Sequence, residues 1–526
     1  MGALTLKVFS DELRDWEFIE SEAFDPTDSF GVDLKLSIRE NQIFLAEPSN
    51  TDNPWLSDKG RLFFDGMFKK FYKKSIDWKI IFKNILEIVY FIDHLNFHKQ
   101  NKFFLIFIFE NLSIETLNLL YLFKQNFSFV ELRKIDNYYN KNNLEYQYQL
   151  ELSINQKKPK LFMSTLAILI NTNTRYEGYV LNLAMRQRFL KGNFKLLTVG
   201  CILNLTFPTY NLGSNFNILK FLAEGTHIAC QDIKSAIFPV FITNSELFKR
   251  TDATIFLNVL NYANMLTTCW TTTNVLNSNI STVGIQTLNK FLPFTINDFT
   301  NFFGLYYVGV SLNSNSGIKK LIELYLLQLF KFNLFLLNKL FIDQNFNYSN
   351  NIVYENKLKN KLFNNYYFLP NKLFLESNET FINTQGFIKR TTKLINFKTA
   401  SKTNWQLIRK FYANTKSLMF FNNKIDNTFI NFNLINSFNF KNYINFQFYA
   451  VQILTNLSFY LTKNNLPVLS NKFYVNIRFF KIKVLNTKLK GWLDDFFTSG
   501  KDFFSYGSAV LTNCSKINRF SHTNFF

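Results

Sequence analysis

The cysteines are the first candidates for chemistry, because thiolates bind zinc and iron–sulfur clusters. The chain of 526 residues has four, far apart in sequence: Cys201, Cys230, Cys269 and Cys514. Neither a C-x-x-C pair nor a set of paired Cys and His ligands occurs, although such spacings are the usual mark of a metal site within one chain. The cysteine pattern therefore argues against a cluster or zinc site built by this chain.

One histidine pair has a spacing that could hold a metal ion. His94 and His98 would share one face of a helix, as two zinc ligands often do. The surrounding sequence signals no third ligand, so a surface pair is the plainer interpretation.

Apolar runs predict the elements that would position any site. Short continuous runs at 103–109, 166–170, 196–199, 239–243 and 305–310 are typical of strands covered on both faces, and hence of a parallel sheet. Helical spacing predicts a helix over 78–92, and a second helix starts near Ser113, with Glu115 in its first turn, and runs to about Lys124. The stretch 321–342 is interrupted by charged side chains, so we expect a buried or amphipathic helix and no membrane span. The sequence predicts an α/β fold.

Charge and composition exclude few classes of function. The net charge of +21 would suit a nucleic acid or an anionic membrane, but apart from runs at 69–74 and 157–160 the basic residues are scattered. Solvated faces and an AT-rich genome explain the lysine, asparagine and phenylalanine content. Two tracts rich in these residues, 343–367 and 420–450, are predicted to be insertions. No import signal is visible, so we expect a product of an organelle genome.

Several blocks of sequence occur in a fixed order with defined internal spacing. They are MGALTLK (1–7), RDWE (14–17), DPTDSFG (25–31), WLSDKGRLFFDG (55–66), TNTRYE (172–177) with Asn182, Arg186 and Arg188, a series between 196 and 227 that ends at His227, TFINTQG (380–386), a helix with Trp405, Ile408 and Arg409, and weakly Ser505, Ser508, Leu511 and Cys514. These blocks resemble the large peripheral iron–sulfur subunits of respiratory complex I (NADH:ubiquinone oxidoreductase), in the part that is like molybdopterin oxidoreductases.

The resemblance implies an α/β, molybdopterin-oxidoreductase-like fold with parallel-sheet subdomains and a small β-containing N-terminal subdomain. We expect that subdomain over 1–70, like the degenerate cluster-type domain that opens this fold. The α/β subdomains would cover 71–345, and a C-terminal part with the insertions would cover 346–526.

The resemblance also implies a role without catalytic residues. The chain would scaffold electron transfer from NADH to ubiquinone, bind no cofactor itself, and rely on partner chains for FMN and the 4Fe-4S and 2Fe-2S clusters. Expected partners are the flavin- and NADH-binding and other peripheral-arm subunits, and a cluster-bearing N-terminal half on a separate chain, beside whose cluster Gly2, Ala3 and Leu4 would lie. The expected location is the matrix side of the mitochondrial inner membrane, with no nucleic acid and no membrane span.

Catalytic relatives seat a pterin dinucleotide with a loop like 172–177. Here Asn171 and Thr174 replace the family's glycine and proline, so we expect a structural loop that has lost the glycine's close approach and φ freedom. For the acidic segments 14–17 and 25–31 the plainer alternative to a family motif is a solvated turn, and His227 is expected to be a packed or capping residue.

Two other functions are open. A working molybdenum or tungsten oxidoreductase needs a metal-ligating residue and pterin-phosphate loops, which are not recognisable. A basic mitochondrial ribosomal protein would explain the charge but not the motif blocks. Metal content and co-sedimentation with ribosomes distinguish them.

Overall fold

The structure is a computed structural model, and it describes a large part of the chain. The described residues are 14–49, 55–65, 103–108, 112–127, 130–134, 161–200, 202–245, 247, 273–277, 279–288, 291–293, 302–310, 334–339, 366–372, 374–395, 402–422, 508–511, 513–514 and 517.

The described residues contain both strands and helices. The strands are β1 (Ile19–Phe24), β2 (Asp33–Arg39), β3 (Gln42–Pro48), β4 (Phe103–Ile108), β5 (Val130–Lys134), β6 (Leu166–Ile170), β7 (Lys195–Val199), β8 (Tyr210–Gly213), β9 (Val240–Asn244), β10 (Thr273–Leu276), β11 (Leu292–Pro293), β12 (Phe302–Val310), β13 (Leu334–Lys339), β14 (Tyr366–Pro370), β15 (Thr380–Ile382) and β16 (Ile388–Arg390). The helices are α1 (Asp58–Leu62), α2 (Ile114–Asn126), α3 (Thr174–Glu177), α4 (Tyr179–Leu190), α5 (Asn217–Glu224), α6 (Ala229–Ser235), α7 (Thr282–Leu288) and α8 (Asn404–Asn422). Short 3₁₀ helices lie at Asp15–Glu17, Leu161–Met163 and Phe374–Glu376.

The N-terminal strands β1, β2 and β3 form an antiparallel sheet. Alternate side chains of β2, such as Leu34 and Leu36, are buried, because one face of the sheet packs on Phe63 and Phe64. Glu40 and Asn41 join β2 to β3 with positive φ at both positions, as a tight hairpin turn requires. The expected β-structure near the N-terminus is thereby confirmed, and the subdomain over 1–70 stays a prediction.

A five-stranded parallel sheet has the order β10-β9-β6-β7-β8. The chain moves outward from β6 through β7 to β8 and then returns to the other side of β6 at β9. Every residue of β6 and β9 is buried, because helices cover both faces of such sheets. The direction of winding therefore reverses between β6 and β9, where parallel sheets bind ligands at the carboxyl ends of the strands.

A six-stranded parallel sheet has the order β11-β5-β4-β12-β13-β14. The expectation of a helix over 321–342 is wrong for 334–339, which form β13 between β12 and β14. An apolar run fits the pattern of a strand or of a helix, so only its pairing partners show which element forms. The other predicted strands all appear within two or three residues of their expected bounds, and the parallel α/β class is confirmed.

The predicted helix near Ser113 is confirmed as α2, and Ser113 is its N-cap. The Ser113 hydroxyl bonds the Thr116 hydroxyl at 2.7 Å rather than a backbone amide. Helix α8 packs on α2 through Phe123, Phe127 and Tyr412, whose rings meet edge to face.

Some expectations fall outside the described residues. These include the helix at 78–92, both lysine runs, and most of the two low-complexity tracts, although Tyr366 and Tyr367 begin β14. The division of the chain near residues 70 and 345 stays a prediction. In the part of the chain that the structure describes, no helix is both long enough and apolar enough to cross a membrane.

Candidate functional site

At the carboxyl edge of the five-stranded sheet, the first residue after β6 has a left-handed backbone conformation. Asn171 follows β6 with φ of 52°, and its backbone N–H donates to the Val199 carbonyl at 2.8 Å. Asparagine enters this region more readily than most residues because its short polar side chain tolerates it. The expectation that Asn171 loses the φ freedom of the glycine is therefore wrong.

The side chains of the 172–177 segment bond their own backbone. The Thr172 hydroxyl donates to the Ile170 carbonyl at 2.9 Å, and Asn173 Oδ1 accepts from the Arg175 amide at 3.2 Å. Glu177 Oε2 accepts from the Asn173 amide at 3.3 Å. Asn173 is thus an N-cap for α3, and the segment is a capped turn.

The rest of the block joins this turn to its neighbours. Thr174 Oγ1 lies 3.1 Å from Asn182 Oδ1, and Asn182 Nδ2 donates to the Leu205 carbonyl at 3.3 Å. Arg175 Nη1 donates to the Asn204 carbonyl at 3.2 Å. The spacing between the TNTRYE segment and Asn182 therefore serves packing between α3, α4 and the loop after β7.

A pterin dinucleotide would need hydrogen-bond donors directed at its phosphates. Among the described residues of this edge, Thr172, Arg175 and Asn182 direct donors at carbonyls of the chain. Asn277 Oδ1 is buried without a hydrogen bond, but it is an acceptor and would repel a phosphate. The described residues do not fit the pterin.

The TFINTQG block lies against the same edge. Asn277, directly after β10, donates from Nδ2 to Thr384 Oγ1 at 3.2 Å. The Thr384 amide donates to the Ser29 carbonyl at 2.8 Å, and Asn383 Nδ2 donates to the Phe30 carbonyl at 2.9 Å. The block therefore connects the carboxyl end of β10 to the 25–31 segment, more than 350 residues earlier in the chain.

Asn383 also shapes the turn between β15 and β16. Its Oδ1 accepts from the amides of Gln385 at 3.1 Å and Phe387 at 2.7 Å. Gly386 has φ of 90°, a conformation that favours glycine. The turn thus explains why asparagine and glycine are three residues apart.

The acidic segment 25–31 is buried, which contradicts the plainer alternative of a solvated turn. Asp25 is 0% exposed and Asp28 is 9% exposed. Asp25 Oδ1 accepts from the Thr27 amide at 2.9 Å and the Thr27 hydroxyl at 2.6 Å, while Asp28 Oδ1 accepts from the amides of Phe30 and Gly31, each at 3.0 Å. These side chains replace water as partners of the backbone, which allows the turn to be buried.

The burial of this segment changes its electrostatics. Burial and the neighbouring Asp25 raise the pKa of Asp28 to about 8, although the amides of the turn and Lys59 oppose the shift. Burial, and then the charges of Asp28 and Asp25, raise the pKa of Tyr179. Lys59 belongs to α1 and Tyr179 begins α4, so blocks 25–31 and 55–66 and the start of α4 meet at one junction.

A second buried carboxyl lies where α2 meets β15. Glu115 is fully buried, and it accepts from the Thr380 hydroxyl at 2.5 Å and the Thr380 amide at 3.1 Å. Burial raises the pKa of Glu115, and burial together with Glu115 raises the pKa of Glu379 to about 8. Glu115 therefore connects α2, the helix that follows β4 of the six-stranded sheet, to the hairpin of β15 and β16.

The weak block near the C-terminus also contacts the N-terminal part. Ser508 Oγ lies 2.5 Å from Asp65 Oδ2, and the Ala509 amide donates to the same oxygen at 3.1 Å. Asp65 belongs to the WLSDKGRLFFDG block. A sequence match too weak to identify a family thus marks a real contact between distant parts of the chain.

The structure leaves the predicted metal candidates scattered. Within the described ranges, no group of three or more His, Cys, Asp or Glu side chains could hold a metal ion. Half-buried Cys230 donates to the Leu222 carbonyl at 3.6 Å, and Cys514 is exposed. His227 Nδ1 accepts from the Ala229 amide at 3.1 Å, so its capping role is confirmed. The other candidates lie outside the described residues: Gly2, Ala3, Leu4, His94, His98, Cys201 and Cys269.

Sequence reasoning missed the two buried carboxyl clusters. The D-x-x-D-x-x-G spacing was visible, but an acidic turn gives no sign of burial until its covering elements are known. Glu115 gave only the signal of a first-turn carboxylate, which is usually solvated.

Comparisons with known proteins cover part of the chain. The profile of a family described as Molybdopterin oxidoreductase matches residues 90–414. The NADH-ubiquinone oxidoreductase 75 kDa subunit of Reclinomonas americana is 28% identical over 316 residues, which are 54% of this chain and 44% of that protein. An NADH-quinone oxidoreductase subunit of Rickettsia prowazekii is 25% identical over 310 residues, 54% of this chain and 43% of that protein.

A plant protein is similar over a slightly shorter stretch. The NADH dehydrogenase [ubiquinone] iron-sulfur protein 1, mitochondrial, of Solanum tuberosum is 23% identical over 279 residues, 48% of this chain and 35% of that protein. The chain thus spans less than half the length of each of these relatives.

Proposed function

The chain belongs to the molybdopterin oxidoreductase family, and from that premise we propose that it is a non-catalytic scaffold subunit of the NADH-oxidising peripheral arm of complex I. Its relatives in Reclinomonas and Rickettsia carry the names of NADH-ubiquinone and NADH-quinone oxidoreductase subunits, and the potato relative is named as an iron-sulfur protein of NADH dehydrogenase [ubiquinone]. In this function the chain supports the path of electrons from NADH to ubiquinone without binding a redox group itself.

One observation carries the proposal. At the carboxyl edge of the five-stranded sheet, where this fold binds ligands, the donors of Thr172, Arg175 and Asn182 are directed at carbonyls of the chain. The 380–386 hairpin contacts the same edge through Thr384 and Asn277. The edge is thereby used for packing, which favours the scaffold over the molybdenum or tungsten oxidoreductase.

The finer parts of the proposal concern partners and location. FMN and the 4Fe-4S and 2Fe-2S clusters belong to partner chains, and a cluster-bearing half of the subunit is a separate polypeptide. Gly2, Ala3 and Leu4 lie beside one of its clusters and exclude water from it. The complex lies on the matrix side of the mitochondrial inner membrane, the gene is in the organelle, and the chain divides near residues 70 and 345.

The test is native fractionation of mitochondrial membranes with an in-gel assay of NADH oxidation. We expect peptides of this chain in the NADH-oxidising band, at one copy per flavin-binding subunit. Their absence from that band, or their co-sedimentation with ribosomal subunits, would refute the proposal. Peptides from a cluster domain joined covalently to this chain would refute the separate-polypeptide part alone.

Metal analysis of the purified chain distinguishes the enzyme. We expect far less than one molybdenum or tungsten atom per chain. Stoichiometric amounts of either metal would favour the active oxidoreductase.

A further inference from the structure

The amino-terminal edge of the five-stranded sheet exposes large apolar side chains that the proposed function does not use. Met163 precedes β6, Leu190 ends α4, and Ile237 and Phe238 precede β9. Their exposed fractions are 56%, 74%, 60% and 43%, respectively. We call these four residues the apolar edge. Single exposed apolar residues are ordinary, but several on one edge of a sheet mark an interaction surface.

The apolar edge has a fixed backbone. Ile237 N–H donates to Thr165 Oγ1 at 2.8 Å, and the Thr165 amide and hydroxyl donate to the Ile237 carbonyl at 3.0 and 3.1 Å. Buried Arg188 donates to the carbonyls of Ser164 at 2.9 Å and Gly192 at 2.6 Å. These bonds hold the segments before β6, β7 and β9 together, so a partner would meet a preformed surface and little ordering cost.

Phe238 adopts an unfavourable backbone conformation. Its φ is 53°, which is an outlier for a bulky side chain, and it precedes Pro239, which favours extended backbone at this position. Its ring is 43% exposed and therefore accessible to a partner. Such strain is concentrated at functional positions, and aromatic and methionine side chains are enriched at protein interfaces.

The rim of the apolar edge is cationic. Arg186 lies one turn before Leu190 on α4, Lys191 follows it directly, and Lys234 lies in the last turn of α6; all three cations are exposed. The ammonium of Lys191 lies 4.7 Å from the centre of the Phe162 ring, next to Met163. A surface of matching chemistry has an apolar centre and carboxylates around it.

We infer that the apolar edge docks a neighbouring protein subunit whose surface has an apolar centre and an acidic rim. A protein fits better than a lipid surface, because the apolar groups stand on a hydrogen-bonded sheet edge and not along one face of an amphipathic helix. The inference rests on the proposed function only in that the neighbour belongs to the same NADH-oxidising particle.

Hydroxyl-radical footprinting tests the inference with the native particle and the purified full chain. We expect Met163 and Phe238 to be oxidised at least fivefold more slowly in the particle, while Ile202, which is 89% exposed and follows β7 at the opposite edge, changes less than twofold. A particle that contains the chain but leaves Met163 and Phe238 unprotected would overturn this inference and leave the proposed function standing. Absence of the chain from the particle would instead defeat the proposed function.

Zero-length carbodiimide cross-linking identifies the occupant. We expect Lys191 or Lys234 to join Asp or Glu of another subunit, and Lys191→Glu to reduce incorporation into the particle at least fivefold. Lys393→Glu, the same charge change at an exposed position after β16, serves as the control and should incorporate normally. Cross-links only within this chain or to a second copy would overturn the inference, as would equal protection of the purified chain by phosphatidylcholine–cardiolipin vesicles.

Discussion

Replacing Asn383 by alanine tests whether the TFINTQG block is a structural junction. The side chain is 2% exposed and makes three hydrogen bonds, one to the Phe30 carbonyl and two from amides of its own turn. The substitution therefore removes the contact between the hairpin and the 25–31 segment and loosens the turn that presents it.

The expected cost follows from these partners. The Phe30 carbonyl loses its side-chain donor in a buried setting, which costs about 1–3 kcal/mol. The amides of Gln385 and Phe387 lie near the surface and regain water, so together they add about 1 kcal/mol. We expect local opening of the hairpin to become easier by about 2–4 kcal/mol, or roughly 30- to 1000-fold in exchange rate.

Amide hydrogen exchange read by mass spectrometry measures this opening directly. The Thr384 amide, which donates to the Ser29 carbonyl, should exchange faster in Asn383→Ala by the stated factor. Gln385→Ala, in the same turn but half-buried, is the matched control and should change the rate less than threefold. If Asn383→Ala exchanges no faster than the control, the junction does not depend on this side chain and the reasoning is wrong.

Four further substitutions test the carboxyls with raised pKa values and the turn before β2. Because the pKa of Asp28 is raised from 3.8 to about 8, the folded chain keeps a proton that the unfolded chain releases, so stability falls as pH rises through this window by up to about 1.4 kcal/mol per unit. Asp28→Asn should make the urea midpoint of unfolding less dependent on pH between pH 5 and 8. An unchanged pH dependence would contradict this. Gly31→Ala, at φ of 58°, should cost about 1–2 kcal/mol for the backbone alone, and its Cβ would meet Ile280 Cδ1 at 2.5 Å. Ile280→Val deletes that atom, so the double variant should be less destabilised than the sum of the singles, whereas strict additivity would disprove the clash. Glu379→Gln should raise the urea midpoint more at pH 8 than at pH 5, because burial and Glu115 disfavour the Glu379 charge, and an equal effect at both pH values would refute that cause.

The sequence predicted the fold class because the strands of these sheets are continuous apolar runs. The run at 166–170 matches β6 at both ends, since every residue of that strand is buried. The prediction of a helix at 334–339 is wrong because an apolar run of this kind can form a strand or a helix, and only its pairing with β12 and β14 distinguishes the two. Strand order, with its two reversals of winding, depends on contacts that no local pattern encodes.

The sequence predicted the family of the chain, but it did not predict the burial and electrostatics of the site. The motif blocks gave the family, which the profile over 90–414 confirms. They did not reveal that Asp25 and Asp28 are buried, because the elements that cover them, α1 and α4, come from distant parts of the sequence. They also overstated the consequence of replacing a glycine by Asn171, which keeps the left-handed conformation.

The blocks that identify the family can persist without a cofactor, because several of their polar residues hold the chain to itself. Asn383 reaches the Phe30 carbonyl, Thr380 satisfies Glu115, and Ser508 contacts Asp65, each across hundreds of residues. Losing such a buried bond costs stability whether or not a pterin is present. A resemblance that rests on these residues therefore indicates a shared fold. Whether the chain binds a cofactor depends instead on which hydrogen-bond donors are directed away from the chain. At the described carboxyl edge, Thr172, Arg175 and Asn182 direct theirs at the chain, and this is the physical reason to expect a scaffold.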